Sequence, residues 1–248
     1  MDTPGWIRKF HKPRSDDAPP LLIFPHAGAG ASTYRAFSKA FSADFDVIVF
    51  QYPGRQDRAK EPLPTSVPQL AQEALAAFRG SSFDRGVPLF AFGHSMGALV
   101  SFEFALRAEQ AGLAVRQLTV AAAVAPARSA HRPKSPTDDE ELLDHLAALE
   151  GTGSDVLASR ELMQMALPVL KADHRASDAY VAPDPAELHA RILALGGDRD
   201  PIVTIADLHG WRAHSDDVEV TMFDGTHFFL NDHVEAIAQT LGRSATSV

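Results

Sequence analysis

Six short apolar runs punctuate the chain: Leu21–Phe24, Val47–Tyr52, Leu89–Phe92, Leu118–Val124, Ile192–Leu195 and Val218–Phe223. Most are apolar at consecutive positions, as expected of strands covered on both sheet faces. Helix-period segments lie between them. In Ser66–Arg79, residues Leu70, Ala74, Leu75 and Phe78 share one face. Pro68 sits in the first turn, where its missing N–H costs little. Met96–Ala111 reads as a second helix, with Gly112 as its stop. Near the C-terminus Val234, Ile237, Ala238 and Leu241 recur at i, i+3, i+4 and i+7. This alternation predicts an α/β fold, a mostly parallel central sheet flanked by helices.

The alternation breaks between Pro126 and Ile192, where short amphipathic pieces appear and no strand is expected. Thr137 and Glu140 have capping-box spacing before Leu142, Leu143, Leu146 and Leu149. Glu161–Leu170 carries Leu162, Met165, Ala166, Val169 and Leu170. Helices this short are unstable alone and must pack on something. A structureless loop of this length is improbable, so the segment reads as an inserted helical lid. Its apolar faces either cover a binding cleft or extend the core. The expected organisation is an N-terminal arm at 1–20, a core at 21–126 and 186–248, and the lid at 127–185.

Composition narrows the function. The 248 residues hold 23 Lys+Arg against 32 Asp+Glu, a net charge of −9, so no bulk positive field invites nucleic acid. No apolar stretch approaches the ~18 residues of a membrane helix. The absence of cysteine removes disulfides, thiolate metal sites and a thiol nucleophile. Residues 1–20 hold four prolines and no apolar core, unlike a secretory leader, and cytoplasmic residence is the default. The basic run Arg8, Lys9, Lys12 and Arg14, followed by Asp16 and Asp17, reads as a solvated arm; docking to an acidic partner is the sharper alternative.

The strongest chemical signal is Gly93-His94-Ser95-Met96-Gly97, between an apolar strand and an amphipathic helix. That is G-x-S-x-G in the strand–turn–helix context it requires. The sharp turn exposes the serine at a helix N-terminus, where free N–H groups favour developing negative charge. A serine hydroxyl needs a base, and the chain order in such folds is nucleophile, acid, histidine. The loop Gly196-Gly197-Asp198-Arg199-Asp200-Pro201 supplies the acid. Asp200 is favoured because Asp198 lies closer to the strand and Pro201 fixes the loop. A metal pair of Asp198 with Asp200 lacks further ligands. His227, after the last strand, is the expected base; His26 and His94 are weaker candidates, and His145, His174, His189, His209 and His214 read as structural. The glycines of Phe24-Pro25-His26-Ala27-Gly28-Ala29-Gly30 allow close approach of backbone to a ligand. An oxyanion hole built from the N–H groups of Ala27 and Met96 is the expected use. No phosphate-loop spacing is present, and no cofactor or metal is expected.

Five segments in order, Phe24–Gly28, Gln51-Tyr52-Pro53-Gly54-Arg55, Phe92–Ala98, Gly197–Asp200 and Gly225–Leu230, give the chain a resemblance to the type II thioesterases. These are stand-alone α/β-hydrolases that accompany polyketide and nonribosomal peptide synthases. The resemblance covers about Leu21 to Leu241. It implies hydrolysis of acyl thioesters on the phosphopantetheine arms of carrier domains, clearing aberrant or stalled acyl groups, with carrier domains of a synthase as partners. It implies Ser95 as nucleophile, His227 as base, Asp200 as its orienting acid, and Ala27 and Met96 as oxyanion donors. The lack of a carrier-like G-x-D-S-L segment and the initial Met1 favour a free-standing enzyme. Because carrier domains are usually acidic, docking calls for a local cationic patch, for which Arg55, Arg58 and Lys60 or the N-terminal arm are candidates. An esterase or lipase-like hydrolase on free esters, and a non-catalytic carrier-binding accessory protein, are the alternatives.

Overall fold

Strands and helices alternate along the chain as their apolar spacing requires. The computed structural model describes residues 5–131, 134–150 and 160–246. The strands are β1 (Ile7–Arg8), β2 (Pro20–Phe24), β3 (Asp46–Phe50), β4 (Leu89–His94), β5 (Val115–Ala121), β6 (Arg191–Gly197) and β7 (Val218–Phe223). They form one sheet in the order β1-β3-β2-β4-β5-β6-β7, parallel throughout except for β1, which pairs antiparallel with β3. The helices are α1 (Arg35–Phe41), α2 (Val67–Arg79), α3 (Met96–Gln110), α4 (Asp139–Glu150), α5 (Arg160–Asp178), α6 (Ile205–His209) and α7 (Val234–Thr246).

Alternation along each strand divides two cores. Leu22, Phe24, Ile48 and Phe50 point to the side of α2 and α3, whereas Leu21, Ile23, Val47 and Val49 point to the side of α1 and α7. This double coverage is why the central strands β2, β3, β4 and β6 are apolar at most consecutive positions. Helix α3 is buried nearly all round, because the sheet lies on one side and α2 and α5 pack on it as well. Among the described residues no helix is long and apolar enough to cross a membrane.

Local details follow from chemistry the sequence carries. The Ser66 side chain caps α2 by accepting from Gln69 N–H at 3.2 Å. At the end of α3, Gly112 takes a positive φ of 80°, and the following N–H, of Leu113, returns to the Ala108 carbonyl at 2.9 Å. At α4 the expectation is corrected. The cap is Asp138, whose Oδ1 accepts from the N–H groups of Glu140 (2.9 Å) and Glu141 (3.1 Å), not Thr137. An anionic cap one residue later serves the same free N–H groups and suits the positive helix end better.

The N-terminal segment is also more than a solvated arm. Trp6 is buried, β1 covers the edge of β3, and Arg8 and Lys9 are paired with Asp57 and Asp46. Lys12 and Arg14 remain exposed. Helix α5 runs on past Leu170 to Asp178, through Pro168. Positions 132–133 and 151–159 of the expected lid lie outside the described residues.

Candidate active site

Ser95 stands at the junction of β4 and α3, at the C-terminal edge of the sheet. Its backbone lies at φ 55°, ψ −120°, a strained conformation that a non-glycine residue holds only when its surroundings impose it. Two glycines permit that turn. A Cβ on Gly93 would lie 2.5 Å from Ser101 Oγ and closer still to the Gly97 carbonyl. A Cβ on Gly97 would lie 2.6 Å from the Pro25 carbonyl oxygen and closer still to that of Phe24.

The loops after β6 and β7 bring the other two candidates to this serine. His227 Nε2 is 3.0 Å from Ser95 Oγ, and its Nδ1 is 2.8 Å from Asp200 Oδ2. The His227 and Asp200 side chains are 2% and 0% exposed, so this ion-pairing geometry is shielded from water. The other Asp200 oxygen accepts from Ile202 N–H (2.9 Å) and Val203 N–H (3.1 Å), which fixes the carboxylate plane. A carboxylate only accepts, so Nδ1 carries the hydrogen and Nε2 is left to accept from the serine hydroxyl. Asp198 does something else: it accepts from Gly225 N–H at 2.9 Å, joining the β6 and β7 loops, and sits beside Arg199.

The two weaker histidine candidates are buttresses. His94 Nε2–H donates to the His227 carbonyl at 2.9 Å, and His26 Nδ1 lies 2.9 Å from the Tyr34 hydroxyl. Burial above all, then the neighbouring His227 and Arg55, pushes His26 down to about 3. Burial also holds His94 well below the usual histidine range, with the neighbouring His26 and His227 adding to it. Both rings are therefore neutral at physiological pH.

Ser95, His227, Ala27 and Met96 share one chamber. Its roof comes from the two helices between β5 and β6: His145 and Leu149 of α4, and His174 and Asp178 of α5. His145 and His174 both face the chamber, and His174 Nδ1 also lies 2.7 Å from the Ser135 hydroxyl. A signal existed in the sequence. His145 lies on the same helical stripe as Leu142 and Leu149, at i+3 and i−4, and an imidazole on an apolar stripe marks a lined cavity as readily as a core. Partial burial depresses the His145 imidazole, as does the neighbouring His227. His214, by contrast, is structural, accepting from Ala127 N–H at 3.1 Å and donating to the Ala186 carbonyl at 2.7 Å.

The cationic docking patch is corrected too. Arg55 is buried against Asp173, and Arg58 is buried between Glu61 and the Trp6 ring, 4.5 Å from the ring centre. Only Lys60 of the three is exposed. Sequence shows their charge but not that a carboxylate 118 positions away neutralises Arg55. Among the described residues no cluster of three or more His, Asp or Glu is arranged to hold a metal ion.

Known proteins match the chain in sequence and fold. The family model for the thioesterase domain matches residues 19–245. The chain is 36% identical to thioesterase PikA5 of Streptomyces venezuelae over 243 residues, covering 97% of this chain and 85% of that one. The type II thioesterase BorB of the borrelidin biosynthetic cluster superposes with a TM-score of 0.86 at 37% identity, covering 97% of both chains. Phenyloxazoline synthase MbtB of Mycobacterium tuberculosis is 38% identical over 236 residues, and the chain spans 16% of its length. The chain belongs to the thioesterase-domain family, with the α/β-hydrolase architecture of the type II thioesterases to which it is similar.

Proposed function

We propose that this protein hydrolyses acyl thioesters carried on the phosphopantetheine arms of carrier domains, releasing aberrant or stalled acyl groups from a polyketide or nonribosomal peptide synthase. The observation that carries this reading is the continuous chain from Ser95 Oγ to His227 at 3.0 Å and on to Asp200 at 2.8 Å. Relatives named as thioesterases, among them a type II thioesterase from the Yersiniabactin NRPS/PKS biosynthetic pathway, support the substrate class.

Each step falls to a side chain or backbone group of the site. Ser95 Oγ attacks the thioester carbonyl while His227 Nε2 takes its proton, and Asp200 stabilises the imidazolium that forms. The carbonyl oxygen becomes an oxyanion held by the N–H groups of Ala27 and Met96, the latter at the start of α3, where the helix dipole adds to it. Collapse expels the thiol of the arm, which receives the proton from His227. Water then enters, gives a proton to His227 and attacks the Ser95 ester; the acid leaves and Ser95 recovers its proton. The insertion acts as a lid over this chamber, shielding the ester between the two halves. Carrier domains are the partners in this reading, and the enzyme works in the cytoplasm beside its synthase.

The test compares turnover of an acylated carrier domain with that of the matching free oxyester. A kcat/KM at least tenfold higher on the carrier thioester is expected. Faster turnover of the oxyester identifies a general esterase instead, and no turnover of either identifies a non-catalytic carrier-binding protein.

A further inference from the structure

Behind the oxyanion loop lies a buried polar cluster that the catalytic cycle does not use. Asp173 of α5 is 0% exposed and Arg55 3%. Asp173 Oδ2 pairs with Arg55 Nη2 and also accepts from the Gly28 N–H at 2.8 Å. Arg55 Nη1 donates to the Pro53 carbonyl at 2.6 Å, and the guanidinium lies over the Tyr52 ring. Gln51 completes the cluster: its Oε1 accepts from Ala31 N–H at 2.6 Å and its Nε2 donates to the Arg55 carbonyl at 3.0 Å.

The glycine loop is therefore held at two backbone N–H groups, Gly28 and Ala31, on either side of its turn. The Gly28 bond matters most for chemistry, because it fixes the peptide plane directly after Ala27. Gly28 is at φ 77°, and a Cβ there would press on Leu170 of the same helix (3.1 Å to its Cγ). Side chain and backbone thus meet α5 at one point. A buried ion pair contributes little net stability over an apolar replacement, so its value here is directional: Arg55 neutralises and aims a carboxylate that a lone buried anion could not supply.

We propose that Asp173, held by Arg55, is a positioning residue for the oxyanion hole: helix α5 reaches down from the insertion and sets the Ala27 N–H through Gly28. This rests on the reading of Ala27 as an oxyanion donor.

Two double variants separate direction from stability. R55Q/D173N removes both charges but keeps an oxygen to accept from Gly28. R55Q/D173L removes both charges and the acceptor, and R55Q/D173A makes the same comparison should the leucine version fail to fold. All are compared per folded molecule, by melting curve, with kcat, KM and the rate of Ser95 labelling by a fluorophosphonate. R55Q/D173N is expected to stay within about threefold of the wild-type kcat. The acceptor-less variants are expected to lose about 10- to 100-fold in kcat and in labelling rate. KM is expected to move less than twofold, and the pH profile of kcat to stay in place. Equal activity of the Asn and the Leu or Ala variants, whether high or low, overturns the proposal. The wild type distinguishes the two layers: labelling at Ser95 with indifferent Asp173 variants sinks the positioning role alone, whereas no labelling of the wild type sinks the catalytic reading and the positioning role with it.

Discussion

Substituting Gly97 by alanine tests whether the serine turn is set by backbone contact. A new Cβ would sit 2.6 Å from the Pro25 carbonyl oxygen and closer to that of Phe24, against the 3.0 Å that real Cβ contacts essentially never breach. The obstruction is backbone, so no side chain can swing away. The Phe24–Pro25 carbonyls must retreat by at least 3.0 − 2.6 = 0.4 Å, and by more at Phe24. These residues lead directly into His26 and Ala27, so the displacement passes to one wall of the site. Misplacement by 1 Å costs about 100-fold in rate, and a retreat of that order, set by the tighter Phe24 contact, predicts a loss of roughly 100-fold in kcat. Overpacking costs about 1–3 kcal/mol, or roughly 2–12 °C in Tm for a domain of this size. Gly112 provides the matched control. It has a φ of 80° and nothing within 4 Å of a new Cβ, so G112A strains the backbone by about 1–2 kcal/mol far from the chemistry. Thioester turnover and thermal melts on both variants decide the matter: comparable loss of Tm, with kcat falling only in G97A, is expected. Wild-type kcat in G97A refutes the reasoning, as does an equal loss in G112A.

Three further outcomes follow from the same contacts. In D200N the amide oxygen keeps the Ile202 and Val203 N–H bonds and turns its NH₂ toward His227 Nδ1, which must then accept. The imidazole adopts the wrong tautomer, and kcat should fall by about 10⁴-fold with little change in Tm; a loss under tenfold contradicts the assignment. His26 is neutral when folded, down to about 3, while the unfolded chain protonates it below about 6.5. The unfolded state then binds more protons, so stability is full above pH 6.5 and falls as pH drops toward 3. The slope contribution is up to about 1.4 kcal/mol per pH unit. Urea midpoints from pH 7 to 4 should decline less steeply in H26Q, and an unchanged slope argues against a buried neutral ring. The Tyr180 hydroxyl donates to buried Glu103 Oε2 at 2.9 Å. Y180F should cost about 1–3 kcal/mol in chemical denaturation and leave kcat intact; a matching loss of activity places Tyr180 in the site.

Much of the sheet is legible in the sequence because both of its faces are covered. Apolar runs mark β2 to β6 and an apolar–polar alternation marks β7, with boundaries placed within three residues. Two-residue β1 has no periodicity to detect and exists because Trp6 is buried and the β3 edge offers partners. Helix α1 is short and carries only Phe37 and Phe41 as large apolar anchors, too little for a helical stripe to stand out. The candidate site is legible for a different reason. The nucleophile, acid and histidine each sit immediately after a strand of a parallel sheet, so strand ends bring them to one edge whatever their separation in the chain. Helix α5 continues beyond Leu170 because Pro168, which breaks an isolated helix, is tolerated where the helix packs on the core. Long-range charge pairing is where sequence falls silent. Arg55 and Arg58 look like surface cations until the fold brings Asp173 and Trp6 against them, and His145 looks structural until α4 is laid over Ser95.

The account stands or falls on a covalent acyl group at Ser95. Rapid mixing of the protein with an acylated carrier domain, acid quench within the first turnover and peptide mass spectrometry should find the acyl mass on the peptide containing Ser95, with neither adduct nor hydrolysis in S95A. Hydrolysis persisting in S95A, with no acylated Ser95 in the native protein at any time point, would contradict it.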